Sequence, residues 1–517
     1  MKVLMRTVLF LAVLGLCCCA LAEGPAAEEI MSGRREVSYR PEEIALNGIK
    51  LDYIEAMDAY LWSPETPGEV RTAAASGFMN PQVLLEGELP DSAGIRENRT
   101  VGFVLYDQAR YYRGKLALTT LPVIRLECAE EVDADYSEMR MSVWDNAKGK
   151  EKKMAGLIRL RGITARKFPK KSFRLSLKKE DNPEKKDKEA LLGMRKDDDW
   201  ILYPAYSDQE KIRNVFCTNL WTASCGPKNS KGVRNGNEFR YAELFVNGEY
   251  WGLYALGSPL DNKEMFEDGE DAVIYKKIQW SREMEDIEQD GTELPEYEIS
   301  KATGKFEDDE DEAWLLLRDY YTFLRDNQGD SKLLLERIDG ENFVHLAIFL
   351  NMIQGMDNYE AKVKIKNEFL CLTERGGKIT SMMAPWDMDL TFGNDWSDDF
   401  SLNHTLVYSL SPKDSRPFFY GYYGQILLNG DTDLAKTVGD TYKALRADAW
   451  SDKRISALID EYEAEIYGSG AFVRDRERWP EGTYNDPAEG LGKFKKYVLD
   501  RLKACDSYYQ NMEFRKK

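Results

Sequence analysis

Two carboxylates in the last third of the chain have the spacing of a divalent-metal site. Asp387 and Asp389 follow a run of apolar residues and precede Gly393. In an extended segment, side chains two residues apart point to the same side, so we expect these carboxylates to lie together. Because two like charges repel at short distance, a hard divalent cation such as Mg²⁺ is their natural third partner.

A third aspartate, Asp357, follows a strongly apolar run at 343–353. Such a run predicts a helix that is buried on nearly all sides and that ends close to Asp357. We expect this segment and the one containing Asp387 to meet. Together they predict a site for a nucleotide and its Mg²⁺.

Positive charge comes from a strand-like run at 168–177 in which two faces alternate. A rigid strand with a cationic face can hold phosphate groups. The ordinary alternative, a solvated strand face carrying surface charge, stays open at this point. One face carries Lys171, Phe173, Leu175 and Leu177, and the other carries Lys170, Ser172, Arg174 and Ser176.

The composition excludes several classes of function. The chain has 517 residues and a net charge of −19, so general binding to the phosphate backbone of nucleic acids is disfavoured. It has only two histidines, His345 and His404, which leaves little material for a histidine-based zinc site or a Ser-His-Asp triad. Any chemistry must therefore rest on carboxylates, amides, lysines and arginines.

The first 22 residues have the pattern of a secretory signal peptide. Lys2 and Arg6 precede an apolar run, and Ala20-Leu21-Ala22 resembles a cleavage site. We therefore expect a secreted or cell-surface protein with no transmembrane span in the mature chain. Lipid anchoring at 17–19 is the less favoured reading. The five later cysteines are scattered, which argues against a disulfide framework.

The remaining chain predicts an α+β protein. Residues 23–118 read as a small β-rich lead-in, and the clearest hairpin, at 238–256, turns at Asn247-Gly248. The pattern Ser207 to Glu210 resembles a capping box, which predicts a helix from there to about 223. The acidic segment 263–313 predicts an insertion with a solvated loop at 307–312. Later helices are expected at 412–428, 431–447, 451–467 and 488–510.

Several motifs, in order, resemble those of the CotH kinase family, the spore-coat CotH-like proteins with an atypical protein-kinase fold. The strongest are Pro385-Trp386-Asp387-Met388-Asp389-Leu390-Thr391-Phe392-Gly393 and the hairpin sequence at 246–254. Segments 168–175, 198–202 and 357–359 add support. The resemblance covers Leu121 to Gln510. It implies a kinase-like domain at 119–512, with an antiparallel β-rich N-terminal lobe at 119–262 and a mainly helical C-terminal lobe at 314–512.

The resemblance also implies an activity: transfer of the ATP γ-phosphoryl group to serine or threonine of surface or coat proteins, with Mg²⁺ or Mn²⁺. The implied partners are a nucleotide and a protein substrate, and no nucleic acid. By resemblance, Asp357 accepts the proton of the substrate hydroxyl, Lys170, Lys171 and Arg174 contact the nucleotide phosphates, and Asp387, Asp389 and Asn367 bind the metal.

Two departures from the family pattern leave other functions open. Ser258 stands where the hairpin tends to end in a glutamate that pairs with the phosphate-binding lysine. Lys362 stands where an asparagine metal ligand is expected, so Asn367 is the best match for that ligand. A kinase-fold scaffold or adhesion protein with impaired catalysis is therefore the alternative. A carboxylate-based hydrolase that uses Asp357 and Asp387 as a pair is a third hypothesis.

Overall fold

The structure is a computed structural model that describes residues 27–510, except 163, 268, 280–293, 328–329, 356–357, 361–363 and 395–431. The predicted signal peptide at 1–22, the predicted helix at 412–428, Asp357 and Lys362 lie outside the described residues. No helix in the described ranges is both long enough and apolar enough to cross a membrane.

The chain folds into two compact units. The smaller contains the chain up to Leu51, Pro67–Leu89 and Thr100–Leu116, and the larger contains the remainder. In the smaller unit β7, β8 and β9 pair antiparallel, β1 runs parallel to β9, and β2 pairs with β3 and β6. The predicted strands at 82–87 and 100–106 are confirmed. The strands up to residue 118 are β1 (Arg35–Glu36), β2 (Ile44–Leu46), β3 (Ile49–Lys50), β4 (Asp52–Ile54), β5 (Ala59–Trp62), β6 (Ala73–Ala75), β7 (Gln82–Leu85), β8 (Val101–Tyr106) and β9 (Arg110–Leu118).

The main feature of the larger unit is a sheet that closes on itself. Its order is β12-β11-β10-β18-β19-β17-β13-β14, and β12 also pairs with β13, which joins the two sides. All pairs in it are antiparallel except β10 with β18. The strands of this region are β10 (Val123–Cys128), β11 (Ser137–Asp145), β12 (Lys150–Leu160), β13 (Phe173–Lys179), β14 (Asn182–Lys186), β15 (Glu189–Ala190), β16 (Lys196–Asp197), β17 (Asp199–Tyr203), β18 (Phe239–Val246) and β19 (Glu249–Gly257).

Alternation along these strands produces the interior of the closed sheet. Phe173, Leu175 and Leu177 of β13 are buried in one cluster with Ile158 of β12. The intervening residues of both strands face outward, as the period of two requires. The hairpin β18–β19 turns at Asn247 and Gly248, whose φ values of 50° and 80° confirm the predicted turn.

A second, four-stranded antiparallel sheet has the order β21-β20-β24-β25. Its first two strands lie within the acidic segment 263–313, whose description as an insertion stays a prediction. The segment forms half of the sheet that leads into Trp386-Asp387. Only the first half of the block 307–312 is a solvated loop, because Asp309 caps a helix whose first turn holds Glu310, Asp311 and Glu312, where negative charge is favourable. The strands are β20 (Asp271–Lys277), β21 (Tyr297–Thr303), β22 (Tyr359–Glu360), β23 (Lys364–Ile365), β24 (Glu368–Arg375) and β25 (Lys378–Pro385).

The helices confirm some predictions and correct others. The buried helix before Asp357 is confirmed as α7, and the helices expected at 431–447, 451–467 and 488–510 are confirmed as α8, α9 and α11. The helix expected from Ser207 begins at Arg213 instead. The described helices are α1 (Ala27–Met31), α2 (Ser92–Arg96), α3 (Arg213–Ser224), α4 (Asn262–Met265), α5 (Glu310–Asp326), α6 (Ser331–Leu335), α7 (Gly340–Ile353), α8 (Thr432–Ala447), α9 (Asp452–Glu463), α10 (Ala471–Arg478) and α11 (Gly492–Gln510).

Helix α10 has no counterpart among the predictions. It contains two buried charged residues, Arg474 and Asp475, at positions where a sequence pattern would require apolar side chains. Five of its eight residues are charged, so the segment resembles a solvated loop in sequence. With these elements the protein is an α+β protein.

Candidate functional site

The closed sheet turns two arginines and a tyrosine outward on neighbouring strands. Arg161 directly follows β12, Arg174 lies on β13 and Tyr203 ends β17. The main-chain N–H of Arg161 donates to the carbonyl of Ser172 at 2.8 Å, which keeps the two arginine-bearing strands together beyond the end of β12. Arg174 donates to the carboxylate of Asp199 at 3.4 Å. This outer face is the cationic side of the candidate site.

The aspartate motif adopts a turn and not the extended segment that its spacing suggested. Strand β25 ends at Pro385, and Asp387 has a φ of 56°, in the left-handed region. Asparagine and aspartate tolerate that conformation better than other residues with a side chain. Asp387 and Asp389 are both partly exposed to solvent.

Helix α3 fixes the turn from the other side. The side-chain oxygen of Asn214 accepts from the main-chain N–H of Met388 at 3.0 Å. Arg213 donates to the carbonyl of Thr391 at 3.0 Å. The start of this helix therefore holds the main chain on both sides of Asp389.

Electrostatic effects show that the cations and carboxylates share one site. Burial raises the pKa of the Tyr203 phenol well above its ordinary value, and the carboxylates of Asp389 and Asp387 raise it further. Burial lowers the pKa of Arg161, while nearby Asp387 opposes that shift and Arg174 adds to it. The Arg161 guanidinium also lies 5.3 Å from the ring centre of Trp386.

Ser207 belongs to this site and does not cap α3. Its hydroxyl donates to Oδ2 of Asp389 at 3.1 Å. The main-chain oxygen of Asp389 accepts from the amide of Asn394 at 2.9 Å. Asp389 is therefore held at its carboxylate and at its main chain, by residues on either side of it in the sequence.

Asn367 lies directly beneath the aspartate motif. Its main-chain oxygen accepts from the N–H of Trp386 at 2.9 Å and from the side-chain amide of Asn358 at 2.9 Å. The same amide donates to the carbonyl of Trp386 at 2.8 Å. Asn358 therefore joins the residue that precedes β24 to Trp386, and the metal-ligand role of Asn367 stays a prediction.

Next to Asn367, Glu368 is a buried carboxyl with an unusual protonation state. It is 6% exposed, and its Oε1 has no hydrogen-bond partner. Burial raises its pKa from 4.5 to about 7, although the Lys277 ammonium acts in the opposite direction. The folded protein therefore keeps this proton at pH values where an unfolded chain releases it.

We expect the Glu368→Gln variant to gain stability relative to the natural protein as pH rises from about 4.5 to about 7. In that window the unfolded natural chain loses a proton that the folded state retains, so its folded state becomes less favourable. The difference in unfolding free energy, measured by urea denaturation at several pH values, should level off above pH 7. The exposed Glu481→Gln serves as control. A difference that is constant with pH would contradict the prediction.

Lys170, predicted to contact nucleotide phosphates, is fully buried. Its ammonium lies 2.7 Å from Oδ1 of Asp475 and donates to the carbonyls of Pro204 and Leu253, each at 2.7 Å. Both members of the ion pair are 0% exposed. Lys170 precedes β13, so it does not share the outward face of Arg174, and this placement disfavours a direct phosphate contact. Lys171 is partly exposed and donates to the carbonyl of Arg166 at 2.7 Å.

Asp475 is the centre of a buried polar cluster that joins α10 to β19. It accepts from the N–H of Leu253 at 2.9 Å and from the hydroxyl of Tyr484 at 2.9 Å. Gly252, with a φ of 101°, makes this possible, because a Cβ there would lie 2.1 Å from Oδ1 of Asp475. The carboxylate partner of Lys170 thus comes from α10, not from the hairpin end at Ser258.

The donor set suits Mg²⁺ or Mn²⁺ in complex with a nucleotide. No group of three or more His, Cys, Asp and Glu side chains that could hold a metal is found among the described residues. Magnesium, however, commonly uses one or two carboxylates and completes its shell with substrate phosphates and water. Asp387 and Asp389 offer such a pair, with Arg161 and Arg174 placed to neutralise phosphate oxygens.

Sequence reasoning placed Asp387, Asp389 and Arg174 in one site. In the structure the two aspartates act on Tyr203, and Asp387 and Arg174 both act on Arg161, whereas the roles of the three residues stay predictions. Sequence reasoning missed Arg161, Tyr203 and Asp475. Arg161 stands in a strand-like run, but nothing in that run marks it as different from a surface arginine. The contacts of Asp475 depend entirely on the packing of α10.

The comparison with protein-family models agrees with the motifs. A search of curated proteins finds no match. The protein-family model described as CotH kinase protein matches residues 158–505, a range that includes all the site residues discussed above. Since that match spans more than half of the chain, the protein belongs to the CotH kinase family.

Proposed function

We propose that this protein is a secreted kinase-like phosphotransferase that moves the ATP γ-phosphoryl group to serine or threonine of surface or coat proteins. The observation that carries the proposal is that the charges of Asp387, Asp389 and Arg161 all act on one residue. That residue is Tyr203, which ends β17. Membership of the CotH kinase family supports a kinase-like fold with a β-rich N-terminal lobe and a mainly helical C-terminal lobe.

Phosphoryl transfer needs positioned cations and carboxylates more than covalent help from the protein. In the proposed site Arg161 and Arg174 bind phosphate oxygens, and Asp387 and Asp389 hold Mg²⁺ or Mn²⁺. The metal supplies neutralisation of charge on the phosphates when it is bound. Asp357 is proposed, by family resemblance, to accept the proton of the substrate hydroxyl.

A kinase-fold scaffold without turnover is the second candidate. It is favoured by one observation: the ammonium of Lys170 is fully buried and already has three partners. A kinase that needs Lys170 at the phosphates would have to break this cluster. The arginines supply positive charge in its place if the protein is active.

The deciding experiment incubates the mature protein with labelled ATP and Mn²⁺, beside the Asp357→Ala and Asp387→Asn variants. Labelling by the natural protein that is lost in both variants would support the kinase. Nucleotide binding by calorimetry without any transfer would support the scaffold. If the natural protein neither binds nor transfers, the nucleotide hypothesis is overturned.

A further inference from the structure

A third arginine extends the cationic face away from the aspartates. Arg159 of β12 pairs directly with Arg174 of β13, and Arg161 is two residues further along the same face. Directly paired residues in an antiparallel sheet lie about 4.5–5.5 Å apart at Cα. Residues two apart along a strand are separated by about 6.8 Å. Three arginine residues on one face of the sheet therefore form one short strip, which starts beside Asp387.

Placing like charges opposite each other on neighbouring strands destabilises a sheet. Only Arg174 has a carboxylate partner, Asp199; neither Arg159 nor Arg161 forms an ion pair within the described part of the chain. The Nε atoms of Arg159 and Arg174 are shielded from solvent and lack a hydrogen-bond partner. The three arginines are therefore only partly neutralised, and they concentrate positive charge on a protein whose net charge is −19.

The far end of the strip is preorganised by an aromatic ring. The guanidinium of Arg159 lies 4.8 Å from the ring centre of Tyr136, which is 43% exposed. Stacking of this kind holds the plane of the guanidinium and leaves its edge available to an anion. Arg161 is held in the same way on Trp386 at the near end.

We propose that Arg159, Arg161 and Arg174 form a single polyphosphate-binding strip in which Arg159 holds the part of the phosphate chain furthest from Asp387. This assignment rests on the proposed nucleotide function and adds Arg159 as the residue that distinguishes a triphosphate from shorter anions. The separation of the three residues is comparable to the length of an extended triphosphate. Guanidinium forks match phosphate oxygens in pairs, which favours this ligand over a single carboxylate.

The test is calorimetry with inorganic tripolyphosphate, which contains no nucleoside, on the natural protein and on Arg159→Gln. We expect about tenfold weaker binding by the variant, the usual loss for a charge-assisted hydrogen bond. Inorganic monophosphate should show a smaller loss. Lys153→Gln is the matched control, since Lys153 lies on the same face of β12, is 80% exposed, and is remote from the strip.

Thermal unfolding without ligand separates ligand binding from a structural role. Because Arg159 faces Arg174, Arg159→Gln should unfold at the same or a higher temperature than the natural protein. Wild-type affinity of Arg159→Gln for tripolyphosphate, absence of binding by the natural protein, or a lower unfolding temperature of the variant would each overturn the assignment. Weaker binding at unchanged or higher stability would support it.

The outcome is distinguishable from that of the proposed function. In one result the natural protein binds tripolyphosphate and Arg159→Gln loses this binding, while ATP labels no hydroxyl. That result would support the polyphosphate-binding strip and contradict the proposed kinase activity. If ATP labels protein while Arg159→Gln binds tripolyphosphate like the natural protein, the result supports the kinase activity and contradicts the role of Arg159 in the strip.

Discussion

Asp387→Asn is expected to lower the rate of phosphoryl transfer by about a thousandfold or more while the fold stays intact. The carboxylate is the proposed metal ligand, and a metal on the phosphates contributes several kcal/mol to the stability of the transition state. Asparagine keeps the left-handed backbone that Asp387 requires, with a φ of 56°, so the turn itself should survive. The measurement is the initial rate of labelling with ATP and Mn²⁺.

Asp58→Asn is a closely matched control for this variant. Asp58 also has a left-handed backbone, with a φ of 48°, and it is exposed. The same chemical change in the same backbone conformation should leave the rate within about twofold of the natural protein. If Asp387→Asn keeps the full rate and binds Mn²⁺ as tightly as the natural protein, Asp387 is not a metal ligand.

Asp475→Ala is expected to lower the free energy of unfolding by about 3–5 kcal/mol, the usual cost of removing one partner of a buried ion pair. The substitution leaves the buried ammonium of Lys170 without its carboxylate, and it also removes the acceptor for Leu253 and Tyr484. The change is measured as the shift in the midpoint of urea unfolding, followed by tryptophan fluorescence.

Two further variants show whether the cost arises from the unpaired charge. The double variant Lys170→Met/Asp475→Leu should recover more than half of the lost stability, because well-packed apolar pairs commonly replace buried ion pairs at little cost. Asp440→Ala removes an exposed partner of Lys436 and should change stability by less than about 1 kcal/mol. An unchanged midpoint in Asp475→Ala would contradict the structural role assigned to the cluster.

The same cluster bears on catalysis. If the role of Lys170 is to pair with Asp475 of α10 and not to bind the nucleotide, Lys170→Met should destabilise the protein. The affinity of the variant for tripolyphosphate should then stay within about twofold of the natural value. A large loss of affinity at unchanged stability would instead restore Lys170 to the phosphates, as the family resemblance implies. The two roles therefore predict opposite patterns in two separate measurements.

Local patterns in the sequence predict several elements of the fold and part of the candidate site. The period of two in 173–177 identified the buried side of β13, because side chains alternate across any strand. Asn247-Gly248 identified a hairpin, because both residues tolerate the positive φ of its turn. The apolar run at 343–353 identified a buried helix, and the motif around Asp387 indicated both the carboxylate site and the family.

Only the tertiary structure decided which charges face the site and which are structural. Lys170 and Arg174 are near neighbours in sequence, yet one is buried against Asp475 and the other faces outward, because β13 begins only at Phe173. Arg161 and Ser207 join Asp387 and Asp389 through contacts between distant segments. Sequence periodicity reports which side of one element is apolar, whereas the partner of a buried charge depends on how several elements pack.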